Sequence, residues 1–195
     1  MDVDKVTMLR DLLSGSDWVE RTDEFAGAMR AATRRSDGLV LMGTPDYEPW
    51  HLAAHLDDEA TFSGAVDLRP TLVRWDTSTA TAPHLQVGVE RLASMRRGEP
   101  LLVVSPGLAE QSLLERVDMA RRSGSRLFAL SGKDDSDLGG LVHETLDLDA
   151  ATSSPLEVDL ELAQHLLSLS AATQTGLPDG WRRSLRRTLD RLSGP

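Results

Sequence analysis

A chain of 195 residues with a formal charge of −10 at pH 7 is long enough for one domain with a substantial core. Its acidic balance argues against a nucleic-acid binder, which would carry a basic field, and against an anionic membrane partner. The absence of cysteine excludes disulfides and thiolate metal sites and makes a reducing compartment the natural expectation. The sequence offers neither a signal-peptide pattern nor the ~18 apolar residues of a membrane helix, so we expect a cytoplasmic protein.

The apolar pattern predicts the following elements in chain order. The pattern over residues 1–35 predicts two helices, separated at residues 14–17. Five short runs rich in Val, Leu and Phe then predict strands over residues 38–43, 70–76, 100–105, 126–132 and 144–150. Helical patterns cover residues 84–98, 108–124, 154–173 and 180–194. This strand–helix rhythm predicts an α/β fold, a three-layer α/β/α sandwich around a five-stranded parallel sheet.

Three segments make up the predicted domain organisation. Residues 1–35 are N-terminal helices that belong to the same domain and are expected to contact another copy, and residues 36–175 form the central domain. Residues 176–195 contain a basic amphipathic helix on an otherwise acidic chain. We expect this helix to pack on its own acidic body or on a neighbouring subunit, and binding of a separate partner is the alternative.

Ligands of open parallel sheets bind beyond the carboxyl ends of the strands, where loops lead into helices. The corresponding loops here are residues 43–51, 76–84, 105–112 and 131–140. The polar side chains in the first three loops that we expect to bind substrate are Thr44, Asp76, Ser105 and Ser112. In the fourth loop, Lys133 is either a cation for an anionic ligand or part of a solvated turn.

An ordered series of segments resembles the sugar-isomerase (SIS) domain family, in particular its phosphoheptose isomerase branch. The series comprises "LVLMG" followed by a helix with "HLAAHL", then "MRRGEPLLVVS", "RSGSRLFALSGKDDSDLGGL" and "EVDLELAQHLL". The resemblance implies a flavodoxin-like sheet, a small sugar-like ligand, no nucleotide cofactor, and sites shared between subunits of a homodimer or homotetramer.

Two loops depart from the family pattern. The family's "GNGGSA" is here "GTPDYE", and its phosphate loop "STSGNSxN" is here "SPGLAEQS". Pro106 lacks an N–H, whereas Asp46, Glu48 and Glu110 place negative charge where a phosphate needs donors. We therefore expect the family fold, with a substrate whose phosphate is absent or is held differently.

Three of the five histidines and one glutamate form the candidate chemical centre. His51 and His55 are four residues apart on a predicted helix, a spacing that suits two imidazole ligands of one Zn²⁺ ion. The resemblance implies a metal set of His51, His55, Glu157 and His165, with His165 and His55 also catalytic. Glu157 and His165 are eight residues apart, about 12 Å along one helix, so a four-ligand site would draw on two subunits.

Each of these residues also has a purely structural interpretation. His51 and His55 are typical of a solvated helix face. Glu157 follows Ser154 and Pro155 in a capping-box pattern that closes a helix end. His165 lies between leucines and suits a core histidine.

Three functions stay open on the sequence alone. The first is an aldose–ketose isomerase for a sugar or sugar-phosphate-like compound, which needs a base beside the mobile proton and a group that polarises the oxygens. The second is a non-catalytic SIS module that binds a small ligand or a partner and regulates. The third is an SIS enzyme with different, metal-dependent chemistry. The retained histidines favour the first.

Overall fold

The computed structural model describes residues 17–36, 38–78, 80–133, 135–149 and 158–172. Its helices are α1 (Trp18–Thr33), α2 (Trp50–Ser63), α3 (Gln111–Arg122), α4 (Ser136–Leu141) and α5 (Leu160–Ala172). Its strands are β1 (Leu39–Met42), β2 (Pro70–Val73), β3 (Pro100–Ser105), β4 (Arg126–Ser131) and β5 (Glu144–Asp147). The first predicted N-terminal helix, the Glu157 cap and the helix over residues 180–194 lie outside the described residues.

The five strands form one parallel sheet in the order β2-β1-β3-β4-β5. β1 pairs with β2 on one side and with β3 on the other, so the chain reverses its direction of winding between β1 and β3. Ligands of such sheets bind at this switch point, beyond the carboxyl ends of the two strands. The predicted fold class and all five predicted strands are confirmed.

Side chains alternate between two apolar layers. Leu39 and Leu41 of β1 pack with α1, α2 and α5, whereas Val40 and Met42 pack with α3 and α4 on the opposite face. All six residues of β3 are buried, which is typical of a parallel strand covered on both faces. The apolar runs of the sequence therefore arise from double-sided burial.

Helix α5 is the most enclosed helix of the described chain. It lies against both α1 and α2, and every residue from Ala163 to Ala171 is buried, including Gln164, His165 and two serines. A helix that is buried all round presents polar side chains to the protein interior. No helix in the described ranges is long and apolar enough to cross a membrane.

The predicted helix over residues 84–98 is wrong. The structure has two 3₁₀ segments there, Pro83–Leu85 and Val89–Ser94, joined through Gly88 in an extended conformation. The N–H of Arg74 donates to the carbonyl of Val87 at 2.9 Å, which holds this segment beside the end of β2. Extended backbone at that point prevents an α-helix. By contrast, α3 matches the prediction over residues 108–124, and Gly124 follows it with φ +84°.

Candidate functional site

The loop that follows β1 folds over the switch point of the sheet. Its backbone turns so tightly that a Cβ on Gly43 would lie 1.8 Å from the carbonyl oxygen of Tyr47. Thr44 pairs with Tyr47 across this turn, and the indole N–H of Trp75 donates to the Gly43 carbonyl at 2.9 Å. Only glycine fits at position 43, so the glycine after the first strand is a packing requirement.

An ion pair fastens the same loop to β2. The Arg74 Nε lies 3.0 and 3.1 Å from the two carboxylate oxygens of Glu48, and its guanidinium stands 5.2 Å from the ring of Trp50. Both charged side chains are less than one fifth exposed. Glu48, expected from the sequence to repel an anionic ligand, is therefore neutralised by Arg74.

Tyr47 connects this loop to α5. Its hydroxyl donates to Gln164 Oε1 at 3.2 Å, while Gln164 Nε2 donates to the carbonyl of Leu160 at 3.0 Å. Burial, the main cause, together with the negative charge of Glu161, raises the pKa of Tyr47 above its ordinary value, although the Gln164 hydrogen bond opposes this. The phenol therefore stays protonated and keeps its role as donor at neutral pH.

Beside this contact lies the histidine cluster, defined as His51, His55 and His165. The ring centroids of His51 and His55 are 6.3 Å apart, and those of His55 and His165 are 4.3 Å apart, with edge-to-face orientation. His51 is exposed, His55 is half-buried, and His165 is 4% exposed. The three imidazoles thus run from solvent into the space between α2 and α5.

His165 is a buried base without a hydrogen-bond partner in the described part of the chain. This holds for both Nδ1 and Nε2. Desolvation, followed by the repulsion of a positive charge on His55, lowers the pKa of His165 below its ordinary value. The imidazole is therefore neutral at pH 7 and has a lone pair available to accept a proton.

A complete metal centre does not form from the described residues of one chain. Among them, no three His, Asp or Glu side chains are grouped so that they could hold one ion. Glu157, the fourth predicted ligand, lies outside the described residues. The Zn²⁺ site therefore remains a prediction.

The four predicted substrate-binding residues lie at the carboxyl edge of the sheet but in different surroundings. Ser105 is fully buried and donates its hydroxyl to the Gly107 carbonyl at 2.8 Å. Asp76 is exposed and accepts the Ser78 N–H at 2.8 Å. The hydrogen bond from the Ser78 hydroxyl, followed by the one from its N–H, lowers the pKa of Asp76. Thr44 is half-buried, and Ser112 is exposed in the first turn of α3. Their role in substrate binding stays a prediction.

A comparison with known proteins finds a relative of this sequence. The sequence is 30% identical over 139 residues to the phosphoheptose isomerase of Streptomyces coelicolor, a match that covers 65% of this chain and 58% of that protein. The chain thus spans less than two thirds of this relative. No protein-family model matches the sequence.

Solved structures agree on the fold. The NanR protein of Vibrio vulnificus, in complex with ManNAc-6P, matches with a TM-score of 0.55 at 14% identity, over 95% of this chain and 64% of that one. The sugar isomerase domain of the RpiR transcription factor from Sphaerobacter thermophilus matches with a TM-score of 0.52 at 18% identity, over 86% of both chains. This chain therefore has the fold of the sugar isomerase (SIS) domain.

Several residues that shape this site were not predicted from the sequence. Tyr47 and Gln164 are 117 positions apart, so no local pattern announces their hydrogen bond. Arg74 lies within the predicted strand over residues 70–76, and its positive charge among apolar residues was the available signal. Asp135 lies directly before the short helix α4, a position typical of an N-cap, which was the available signal there.

Proposed function

We propose that this SIS domain is an aldose–ketose isomerase acting on a sugar-like hydroxy-carbonyl compound, with His165 and His55 as its acid–base pair. One observation carries the proposal: a buried, neutral His165, unpartnered among the described residues, faces a second imidazole 4.3 Å away between ring centroids. A buried polar group without a partner is costly, so its retention needs an explanation outside folding. The relationship to a phosphoheptose isomerase supports this chemistry.

The proposed reaction needs a proton to move between two adjacent carbons. His165 removes the proton from the carbon next to the carbonyl, and His55 in its protonated form donates a proton to the carbonyl oxygen, which gives an enediol. His55 then takes the proton of the neighbouring hydroxyl, and His165 returns its proton to the other carbon. Each imidazole ends as it began, so the step needs no oxidant or reductant.

A regulatory ligand-binding module is the second candidate. It is favoured by the structural neighbours NanR and the RpiR transcription factor, which share the fold. It is also compatible with an imidazole at position 55, where the resemblance implies a carboxylate base in the isomerases. A module of this kind would bind a sugar-like ligand between α2 and α5 without turning it over.

Deuterium exchange separates the two candidates. The full chain is incubated in D₂O with pentoses, hexoses and heptoses, each with and without phosphate, and the protons next to the carbonyl are followed by NMR. An isomerase incorporates solvent deuterium at that carbon and forms the paired ketose or aldose. Binding measured by calorimetry without exchange would support the regulatory module and contradict the isomerase.

As an alternative to the acid–base pair, because a zinc-bound imidazole has no lone pair to accept a proton, we propose that Zn²⁺ binds His51 and His165 between copies of the chain, in a homodimer or homotetramer. The described residues of one copy group fewer than three His, Asp or Glu side chains, so a complete site would need a second copy. Metal content is measured by plasma mass spectrometry on untagged protein. Near-stoichiometric zinc in the wild type, lost in His51→Ala and His165→Ala and kept in the control His84→Ala, is the expected result. A metal-free wild type would contradict this part.

A further inference from the structure

One carboxylate joins the two loops that follow β3 and β4. Asp135 Oδ2 accepts the N–H of Ala109, in the loop after β3, at 2.5 Å. Its Oδ1 accepts the N–H groups of Asp137 and Leu138, at the start of α4, at 3.1 and 3.0 Å. Three backbone donors from two loops therefore converge on a single internal anion. We call this region the β3–β4 notch (residues 105–110, 131–133 and 135–138).

The hydroxyl groups of the notch are also satisfied internally. Ser105 donates to the carbonyl of Gly107 at 2.8 Å, and Ser131 donates to the carbonyl of Lys133. Pro106 has no N–H to offer. The two serines that end the central strands are thus engaged with their own loops.

The two loops are in direct backbone contact at Gly132. The N–H of Gly132 donates to the carbonyl of Ser105 at 2.8 Å. A Cβ on Gly132 would lie 2.3 Å from the carbonyl oxygen of Pro106. This contact holds the two loops together beside the amide groups that donate to Asp135.

Convergent backbone N–H groups beside a helix start are the usual means by which proteins bind phosphate. Here a carboxylate of the chain itself already has that place, and Glu110 adds a second negative charge at the N-cap of α3 without making a cap hydrogen bond. A phosphate would have to displace an anion and break three hydrogen bonds to Asp135.

We infer that Asp135 makes the β3–β4 notch closed to phosphate, and that the ligand of this domain is a hydroxy-carbonyl compound that places no phosphate in the notch. The inference rests on the proposed function for the site at which this ligand would react. Asp135 determines the specificity against phosphate because it accepts hydrogen bonds from the backbone N–H groups that a phosphate would need.

The amide of Ala109 reports directly on the notch, and inorganic phosphate is the probe. In ¹⁵N-resolved NMR spectra of the wild type, we expect the Ala109 resonance to stay unchanged with millimolar phosphate. In Asp135→Ser, which removes the charge and the acceptor of the Ala109 N–H, phosphate should bind about tenfold more tightly than in the wild type, as expected for one charge-assisted hydrogen bond gained. Asp135→Asn removes the charge but keeps an acceptor oxygen for that N–H, so it should gain less. The control Asp137→Asn removes the same charge two residues away and should behave like the wild type.

If the Ala109 amide resonance of the wild type shifts saturably with phosphate, the inference is overturned. This measurement uses the wild type alone, so it does not depend on the folding of any variant. Tighter binding of a sugar phosphate than of the same sugar by the wild type, with its phosphate shifting the Ala109 resonance, would also overturn it. Neither reading depends on turnover. If the protein is inactive in the exchange assay and phosphate leaves the Ala109 resonance unchanged, the proposed isomerase activity is contradicted and the inference about the notch still holds.

Discussion

The β3–β4 notch and the histidine cluster lie along the same carboxyl edge of the sheet but differ in how their polar groups are satisfied. In the notch, Asp135 and two serines supply or receive hydrogen bonds within the chain. In the cluster, His165 is buried with both ring nitrogens unpartnered among the described residues. Burying such a group costs free energy, whereas a satisfied carboxylate stabilises the loops it joins. The difference supports the proposal that any chemistry at this edge takes place between α2 and α5.

The largest expected effect comes from removing the base of the cluster. His165→Gln keeps a polar side chain of similar size but cannot accept a proton from carbon, so the exchange rate should fall by about 10²–10⁴-fold. The rate of deuterium incorporation measures this. His84→Gln, at an exposed position far from the cluster in sequence, is the matched control and should keep the wild-type rate. Equal exchange rates in His165→Gln and His84→Gln would show that the histidine cluster does not carry the reaction.

Two glycines test whether the regions respond differently to overpacking. Gly43→Ala and Gly132→Ala each force a methyl group against backbone atoms and should lower the free energy of unfolding by about 1–3 kcal/mol. Only Gly43→Ala should also lower the exchange rate, because Tyr47 joins its loop to α5. Urea denaturation and the exchange assay provide the two values.

Gly139→Ala is the control for this pair, since a Cβ there meets nothing within 4 Å. It should be neutral or stabilise the protein by up to about 1 kcal/mol, because alanine is the better helix former. A stability loss in Gly139→Ala equal to that of the other two variants would show that the close contacts are not the cause.

The ion pairs give a smaller contrast between an enclosed and an exposed position. Glu48→Gln removes the charge from a pair whose side chains are 19% and 17% exposed, and should cost about 1.5–3 kcal/mol. Glu144→Gln affects the pair with Arg126, whose side chains are 42% and 41% exposed, and should cost less than about 1 kcal/mol. Thermal and urea unfolding measure the loss of stability in both variants. If Glu48→Gln costs no more than Glu144→Gln, the ion pair supports the loop after β1 no more than an exposed pair would.

The pH dependence of stability gives the smallest effect. Because burial lowers the pKa of His165 in the folded protein, the unfolded chain binds more protons there below the ordinary value of 6.5. The free energy of unfolding should therefore fall as the pH drops below about 6.5, by at most about 1.4 kcal/mol per pH unit for this group. His165→Gln should flatten that slope in urea titrations between about pH 5 and 7.

His143 is a second contributor to the same slope. Desolvation, with the nearby Arg126 and Arg121, lowers the pKa of His143, and its Nδ1 accepts the Leu127 N–H at 3.0 Å. His143→Gln should therefore flatten the slope as well while leaving exchange unchanged. A slope that survives in the double variant would assign the acid sensitivity to other groups.

Much of the fold could be predicted from the sequence because a strand that is buried on both faces of the sheet has a continuous run of apolar residues. The runs that became β3 and β4 are of this kind. Residues 84–98 show the limit, since the same apolar spacing formed 3₁₀ turns once Gly88 was held extended beside β2. The local sequence pattern does not predict such a tertiary contact.

The candidate site was predicted to a lesser extent. The spacing of His51 and His55 predicts their shared helix face, and the family resemblance brought in His165, which the structure places beside His55. The partners of Glu48 and Tyr47 and the reach of Asp135 to Ala109 depend on how loops from different strands meet. Such contacts over 26 to 117 positions are set by packing.

The enclosure of α5 has a kinetic consequence. Because His165 is only 4% exposed, a ligand that reaches its ring nitrogens must first displace protein atoms that cover it. Opening then precedes capture, so the observed association rate should rise with ligand concentration and level off at the rate of opening. On this account, turnover would be governed by how often the space between α2 and α5 becomes accessible, and the speed of proton transfer would be secondary.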